Sequence, residues 1–230
     1  MKTIHGDDVH KVTQEVLEAE KGIFRLAPNW IPRSWIQPGR RLKLAPQDIY
    51  ALGGSRGGIC ERWFASTMPV NNAGAPPDEG LSYVVHNDRR FTFRDAVACH
   101  GAAIVGEDIW AQHGCWPVFT KFYDHVVALP MGMHQNAEQA ALVGREGKPE
   151  GHYYPGQLNA VENAFPYTFF GLEPSTTKGQ VRQCLERWEA GDNGILDLSK
   201  AYRIRPGTGW LIGPGILHAA GPQNSAHSKT

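Results

Sequence analysis

The amino-acid sequence predicts a mainly β fold, a jelly-roll β-barrel or sandwich with an N-terminal helix and short helical insertions. From residue 117 onward, short runs rich in β-branched and aromatic residues alternate with turns rich in glycine and proline. Few segments of this half have the 3.6-residue periodicity of a helix. Many short strands with few helices are typical of antiparallel sandwiches and jelly rolls.

The N-terminal part of the chain begins with a predicted amphipathic helix over residues 7–22. Val9, Val12, Val16 and Leu17 lie on one face of this helix, and a glycine stands at its end. A segment rich in proline and tryptophan follows and predicts an extended arm packed on a core. Residues 1–50 are therefore predicted to form an N-terminal helix and extended arm.

A glycine-rich segment, ALGGSRGG, occupies residues 51–58. It lacks the Lys-Ser/Thr ending of a phosphate-binding loop, so it predicts a turn before a strand over 59–66. Further β-rich runs are predicted at 81–86 and 91–93, with a short helix from residue 94 to about 103. These elements begin the second predicted domain, which spans residues 51–221.

The second half of the chain contains most of the predicted strands. Two helices interrupt them, one near 136–143 and one over about 175–190, where Ser175 or Thr176 is the expected start. The polar residues 222–230 are predicted to be a disordered tail. The predicted strands are 117–122, 124–134, 149–154, 166–171, 201–205 and 209–213.

Composition excludes some classes of function. The 230 residues include 23 Lys plus Arg and 23 Asp plus Glu, so the formal net charge is zero. Nucleic-acid binders usually carry a basic excess, so we expect no nucleic-acid partner. No apolar run approaches the roughly 20 residues that span a bilayer, and the first residues do not form a signal peptide. We therefore expect no membrane association and a cytoplasmic location, with the four cysteines reduced because no CxxC pair occurs.

Two histidines and a glutamate on three separate predicted segments form a candidate metal site. His134 ends one predicted strand, while Glu150 and His152 share one side of another because side chains alternate along a strand. A Gly/Pro turn presents His218. Imidazole and carboxylate groups held on several rigid strands are the ligands of many metal sites in barrels. The sequence therefore predicts His134, Glu150 and His218 as metal ligands.

Five segments in sequence order resemble the cupin superfamily and, more narrowly, class I mannose-6-phosphate isomerases. Residues 129–134 (LPMGMH) correspond to a family motif of leucine, two residues, Gln, any residue and His. Residues 147–153 (GKPEGHY) match Gly-Lys-x-Glu-x-Trp-Tyr, and 213–221 (GPGILHAAG) match Pro-x-Gly-x-x-His-Ala-x-Gly. Residues 116–122 (WPVFTKF) resemble the strand that contributes an active-site lysine, and 60–63 (CERW) resemble an early Glu-x-Trp segment.

The sequence departs from this family pattern at two positions of the candidate site. Gly132 stands where the family has a Gln ligand, and His152 replaces a Trp. His152 points to the same side as Glu150, so it is a possible fourth ligand or, alternatively, a group that supports the ligands. In the family, later strands bring an arginine that contacts substrate and close the barrel. These strands have no counterpart after His218, which leaves both catalysis and closure open.

The resemblance implies a metal-dependent isomerase that interconverts an aldose and a ketose sugar (phosphate) by proton transfer through an enediol. Lys121 and Lys148 are its candidate catalytic residues, since a lysine beside a metal site can shuttle protons. The divalent metal is expected to be Zn²⁺, with Fe²⁺, Mn²⁺ or Ni²⁺ as alternatives. Two other functions stay open: a non-catalytic metal- or sugar-binding protein, and a metal-dependent oxygenase. The sequence does not determine the sugar or the oligomeric state.

Overall fold

In a computed structural model, which describes residues 1–155 and 167–221, the chain forms two compact units. Unit 1 comprises residues 1–38 and 42–124, and unit 2 comprises residues 39–41 and the chain from 125 onward. The boundary predicted at residue 50 falls inside unit 1, and the predicted tail from 222 lies outside the described residues. The division into 1–50, 51–221 and 222–230 stays a prediction.

Unit 1 contains three helices and two small sheets among its described residues. Strand β3 is the centre of an antiparallel sheet of order β2-β3-β6, and β5 is the centre of a second sheet of order β1-β5-β4, in which β1 is parallel. The elements of unit 1 are β1 (Lys2–Thr3), α1 (Asp7–Ala19), β2 (Asn29–Arg33), β3 (Gly58–Phe64), β4 (Tyr83–His86), β5 (Arg89–Thr92), α2 (Phe93–Val105), α3 (Glu107–His113) and β6 (Thr120–Tyr123).

Helix α1 confirms the helix predicted near the N-terminus, although it ends at Ala19, before the predicted limit at residue 22. Its apolar face packs against a core between α1, α2 and the β1-β5-β4 sheet. Valines at helical spacing lie on one side of the helix, so they can be buried together. Asp7 and Asp8 lie in its first turn, where negative charge complements the helix dipole. The buried residues of this core are Ile4, Val9, Val12, Val84, Phe91, Phe93, Ala96 and Val97.

Unit 2 contains a two-stranded antiparallel sheet, β7-β10, and a three-stranded antiparallel sheet of order β11-β8-β9. Two short helices lie outside these sheets. The elements of unit 2 are α4 (Ala137–Ala141), β7 (Glu150–Tyr154), β8 (Tyr167–Leu172), α5 (Lys178–Glu186), β9 (Ser199–Arg203), β10 (Thr208–Ile212) and β11 (His218–Ala220).

Several sequence predictions differ from this structure. The strand predicted over 124–134 is wrong: this segment has only bridge residues, at His125 and at Gly132, and Gly132 pairs with His218. Helix α3 was not predicted, and the predicted arm supplies strand β2. Helix α5 is shorter than the predicted 175–190 and is capped at Thr177.

The predicted fold class is supported in part. Helices and strands occupy comparable shares of the chain, and the described residues form four small sheets with no closed barrel between them. The structure thus supports β-sheets with helical insertions but not a mainly β chain. Among the described residues, no helix is long and apolar enough to cross a membrane.

Candidate metal centre

Backbone hydrogen bonds bring the three predicted ligand segments together within unit 2. Gly132 and His218 exchange two bonds of 2.9 Å, so the segment before His134 runs against the start of β11. The His134 carbonyl accepts from Gly215 N at 2.8 Å, and the neighbouring Gln135 carbonyl accepts from Lys148 N at 3.2 Å. The segment that carries His134 therefore lies between the turn before His218 and the start of β7.

Two glycines make this arrangement possible. Gly215 has φ +82°, a left-handed conformation that other residues rarely adopt, in the turn that leads to His218. A Cβ at Gly147 would lie 2.8 Å from Ala137 N, closer than real side chains approach. The chain can enter β7 beside the start of α4 because residue 147 has no side chain.

The donor atoms of His134, Glu150 and His218 form one cluster. One ligand atom from each residue lies within 4.8 Å of those of the other two, and this cluster of three does not include His152. Glu150 Oε2 is hydrogen-bonded to His134 Nε2, and the His134 and His218 rings have their centroids 5.1 Å apart. The structure thus brings together all three residues that were predicted as metal ligands.

Hydrogen bonds and neighbouring charges determine where protons lie on His218, His134 and Glu150. His218 Nδ1 donates to the Ile216 carbonyl at 2.9 Å, so the neutral ring carries its proton on Nδ1 and leaves Nε2 as the basic atom. Burial lowers the pKa of His134, and the nearby charge of Lys148 lowers it further. Burial alone would raise the pKa of Glu150, but the hydrogen bond from His152 and the charge of Lys148 outweigh it and hold that pKa well below its ordinary value. Imidazole and carboxylate groups are donors for a divalent metal, and the proton shared by His134 Nε2 and Glu150 Oε2 would have to leave when the ion binds.

Lys148, a predicted catalytic residue, lies beside the cluster. Its Nζ is 3.2 Å from both Glu150 Oε2 and His134 Nε2, and its side chain is 54% exposed. A flexible and largely exposed ammonium group can move away from these atoms at little cost. Lys148 can therefore face a molecule that approaches the cluster from solvent.

His152 contacts the carboxylate from the other side. Its Nε2 donates to Glu150 Oε1 at 2.6 Å, and its Nδ1 lies 3.4 Å from the hydroxyl of Tyr154. Tyr154 was not identified as a site residue from the sequence. The signal was available, because residues 150, 152 and 154 share one side of a strand.

Gly132 lies directly opposite His218 across the isolated bridge, and it has room for a side chain. A Cβ there would meet only the Pro130 carbonyl oxygen, at 4.0 Å. Among the described residues, the glycine that replaces the family's Gln leaves space for a Cβ atom beside His218, and the cluster has three protein donors. Three protein ligands with an open position are typical of catalytic rather than structural zinc.

Lys121, the other predicted catalytic lysine, belongs to unit 1, whereas the donor cluster belongs to unit 2. Lys121 Nζ donates to Glu61 Oε2 at 3.2 Å and lies 4.3 Å from the centroid of the Tyr123 ring. Glu61 also accepts from Arg33 and from the Trp63 indole, each at 2.7 Å. Lys121 thus takes part in a buried ion network, and its catalytic role stays a prediction.

Comparison with known proteins gives a structural likeness only. No protein-family model matches the chain, and no curated protein matches its sequence. Among solved structures, a mannosephosphate isomerase from Archaeoglobus fulgidus aligns with a TM-score of 0.56 at 18% identity, over 86% of this chain and 57% of that one. The mannose 6-phosphate isomerase of Bacillus subtilis aligns with a TM-score of 0.53 at 20% identity, over 86% and 54%.

A variant of phosphomannose isomerase from Salmonella typhimurium aligns with a TM-score of 0.57 at 13% identity, over 87% of this chain and 66% of that one. At these identities the likeness establishes the fold alone. The chain spans about half to two thirds of the length of these solved structures. Its fold therefore resembles a part of theirs.

Proposed function

We propose that this chain is a metal-dependent, cupin-type protein that interconverts an aldose and a ketose sugar phosphate. One observation carries the proposal: the donor atoms of His134, Glu150 and His218 lie within 4.8 Å of one another. The resemblance of the fold to solved mannose-6-phosphate isomerases supports the reaction class. A jelly-roll arrangement of the strands is part of this proposal.

A bound divalent metal, most simply Zn²⁺, would supply Lewis acidity to sugar oxygens and stabilise the negative charge that develops on them. His134, Glu150 and His218 would hold it. Lys148 lies beside the donor atoms and is open to solvent, so as the free amine it would take the proton from one sugar carbon, become an ammonium group, and return the proton to the neighbouring carbon. The space at Gly132 gives a sugar oxygen room to approach.

Metal loading followed by a coupled assay tests this function. Metal-stripped protein would be loaded in turn with Zn²⁺, Fe²⁺, Mn²⁺ and Ni²⁺, and the conversion of mannose 6-phosphate to fructose 6-phosphate measured. We expect turnover with at least one ion and none after chelation. Metal bound at one ion per chain without turnover of this or related sugar phosphates would contradict the proposed activity.

Variants connect the activity to the named residues. His218→Ala should abolish both metal retention and turnover, whereas Lys148→Ala should keep the metal and lose at least about 100-fold in kcat, the usual contribution of a proton-transfer group. His5→Gln is the matched control, since His5 is exposed and lies in unit 1. A Lys148→Ala protein with full activity would remove this lysine from the mechanism.

A second candidate function is a non-catalytic metal- or sugar-binding protein. One observation favours it: Gly132 stands in place of a family ligand. Metal binding together with sugar binding, but with no turnover for any loaded ion, is the outcome it predicts. Oxygen uptake by the Fe²⁺ form alone would instead indicate the oxygenase alternative.

A further inference from the structure

We infer that His152 is a positioning residue that orients Glu150 for the metal and is not itself a ligand. The inference rests on the proposed function, because it concerns how this chain would hold the same ion. It addresses a position where the chain departs from the family pattern, with a histidine in place of a tryptophan.

Strand geometry places His152 behind the carboxylate. Glu150 and His152 are two residues apart on β7, opposite Ile212 and Trp210 of β10, so their side chains emerge on the same face. The His152 side chain is 12% exposed and that of Glu150 is 16% exposed. The contact between them is therefore largely shielded from water. A hydrogen bond to a charged group is strong in such an environment.

The two carboxylate oxygens have different partners. Oε1 accepts from His152 Nε2 at 2.6 Å, whereas Oε2 contacts His134 Nε2 and is 3.2 Å from Lys148 Nζ. Oε2 is thus the oxygen on the side of the other metal donors. Fixing Oε1 prevents rotation of the carboxylate and directs Oε2 toward the cluster.

Both nitrogens of His152 contact protein groups. Nε2 is used by Glu150 Oε1, and Nδ1 lies 3.4 Å from the Tyr154 hydroxyl, which can donate to it. The His152 and His218 rings are 6.1 Å apart between centroids, against 5.1 Å for His134 and His218. Tyr154, His152 and Glu150 therefore form a series of hydrogen-bonded side chains that ends at a proposed metal ligand. Proteins tune metal affinity through supporting hydrogen bonds of this kind.

Metal-edge X-ray absorption on the full-length Zn²⁺-loaded protein distinguishes the two roles by counting imidazole ligands. We expect two imidazoles in the wild type and two in His152→Leu. Zn²⁺ affinity, measured by competition with a chelating dye, should fall about 10–100-fold in His152→Leu. His152→Gln, whose amide can still donate to Oε1, should restore most of this loss. His5→Gln should leave the affinity unchanged.

Three imidazoles in the wild type would overturn the inference, whatever the variants do, and would leave the proposed isomerase untouched. Unchanged affinity in His152→Leu would overturn it as well. Two imidazoles with the expected affinities but no isomerase activity would support the inference while contradicting the proposed activity. If His152→Leu fails to fold, Tyr154→Phe keeps the carboxylate contact and should lower affinity only a few-fold with two imidazoles retained.

Discussion

The carboxylate of Glu61 is buried, and only 4% of its side chain is exposed to solvent. Arg33, Trp63 and Lys121 each donate to it, so its charge is matched by two cations. Removing one member of a buried ion network leaves the others uncompensated, which typically costs about 3–5 kcal/mol. Glu61→Ala should therefore lower the free energy of unfolding by about 3 kcal/mol at pH 7, measured by urea denaturation.

The pH dependence of this loss follows from the pKa of Glu61. Burial alone would raise that pKa, but the Arg33 hydrogen bond and the Lys121 charge outweigh it, so it lies below its ordinary value. A lowered folded-state pKa gives stability that is present above the unfolded-state pKa, about 4.3, and is lost as the pH falls below it. The difference between wild type and Glu61→Ala should shrink at pH 3. The control Glu15→Gln, which removes an exposed ion pair with Arg89, should cost less than about 1 kcal/mol at either pH.

We expect the four cysteines to differ in reactivity because two of their thiols are buried and two are exposed to solvent. Cys60 and Cys184 are buried, whereas Cys99 and Cys115 are exposed. Burial and the neighbouring Glu61 charge raise the pKa of Cys60 to about 12, so it has almost no thiolate at pH 8. Iodoacetamide should modify two thiols rapidly in the native protein, and peptide mapping should assign them to Cys99 and Cys115. Rapid modification of Cys60 would contradict its described environment.

Gly132 offers a gain-of-function test at the candidate metal centre. Among the described residues, a Cβ there meets one atom, at 4.0 Å, so a side chain can begin at residue 132 without a backbone clash. Gly132→Gln restores the residue type of the resembled family and should lower the Kd for Zn²⁺ by about 10-fold. This change corresponds to roughly 1.4 kcal/mol of binding free energy. Gly132→Leu, of similar size but without a donor, is the control. Equal affinities for both variants would show that residue 132 does not face the ion.

At the scale of single elements, the short helix α5 depends on its cap. The Thr177 hydroxyl accepts from Gln180 N at 3.3 Å, and the Gln180 side chain accepts from Thr177 N at 2.8 Å. A reciprocal cap of this kind is worth about 1 kcal/mol. Thr177→Ala should raise hydrogen-exchange rates across 178–186 by about fivefold, while Ser175→Ala should leave them unchanged. Equal rates in both variants would contradict the cap.

Elements were predictable from sequence where local chemistry determines them. Helix α1 follows from its valine spacing, and β7 follows from alternating side chains that end in a buried Tyr154. The strand predicted over 124–134 failed although many of its residues are apolar, because Pro130 cannot donate to a sheet and the segment forms isolated bridges and no continuous strand. Helix α3 was missed because it has only seven residues and is bounded by Gly106 and Gly114. Glycines so close together are typical of a loop.

The site was more predictable than the sheets around it. His134, Glu150 and His218 each stand beside glycine or proline turns in recognisable order, and the structure brings their donor atoms together. The partners of His152 were harder to predict from the sequence, since its contact with Glu150 depends on side-chain orientation as well as strand alternation. Sequence spacing indicates a shared face but not which atoms meet.

At the scale of the whole molecule, the predicted barrel was the least reliable inference. Closure depends on pairing between strands distant in sequence, and local patterns carry no information on that register. The described residues divide into two units and four small sheets, and the likeness to isomerases covers 57% and 54% of the first two solved structures. A cytoplasmic location and the lack of a nucleic-acid partner stay predictions.

Anomalous X-ray diffraction at the zinc edge, from crystals of the Zn²⁺-loaded protein, tests the central claim most directly. The account predicts one strong peak per chain, about 2.0–2.2 Å from His134 Nε2, Glu150 Oε2 and His218 Nε2, with no peak in His218→Ala crystals. A peak bound by other residues, or no peak at this cluster in fully loaded protein, would contradict the assignment of these three side chains as the metal centre.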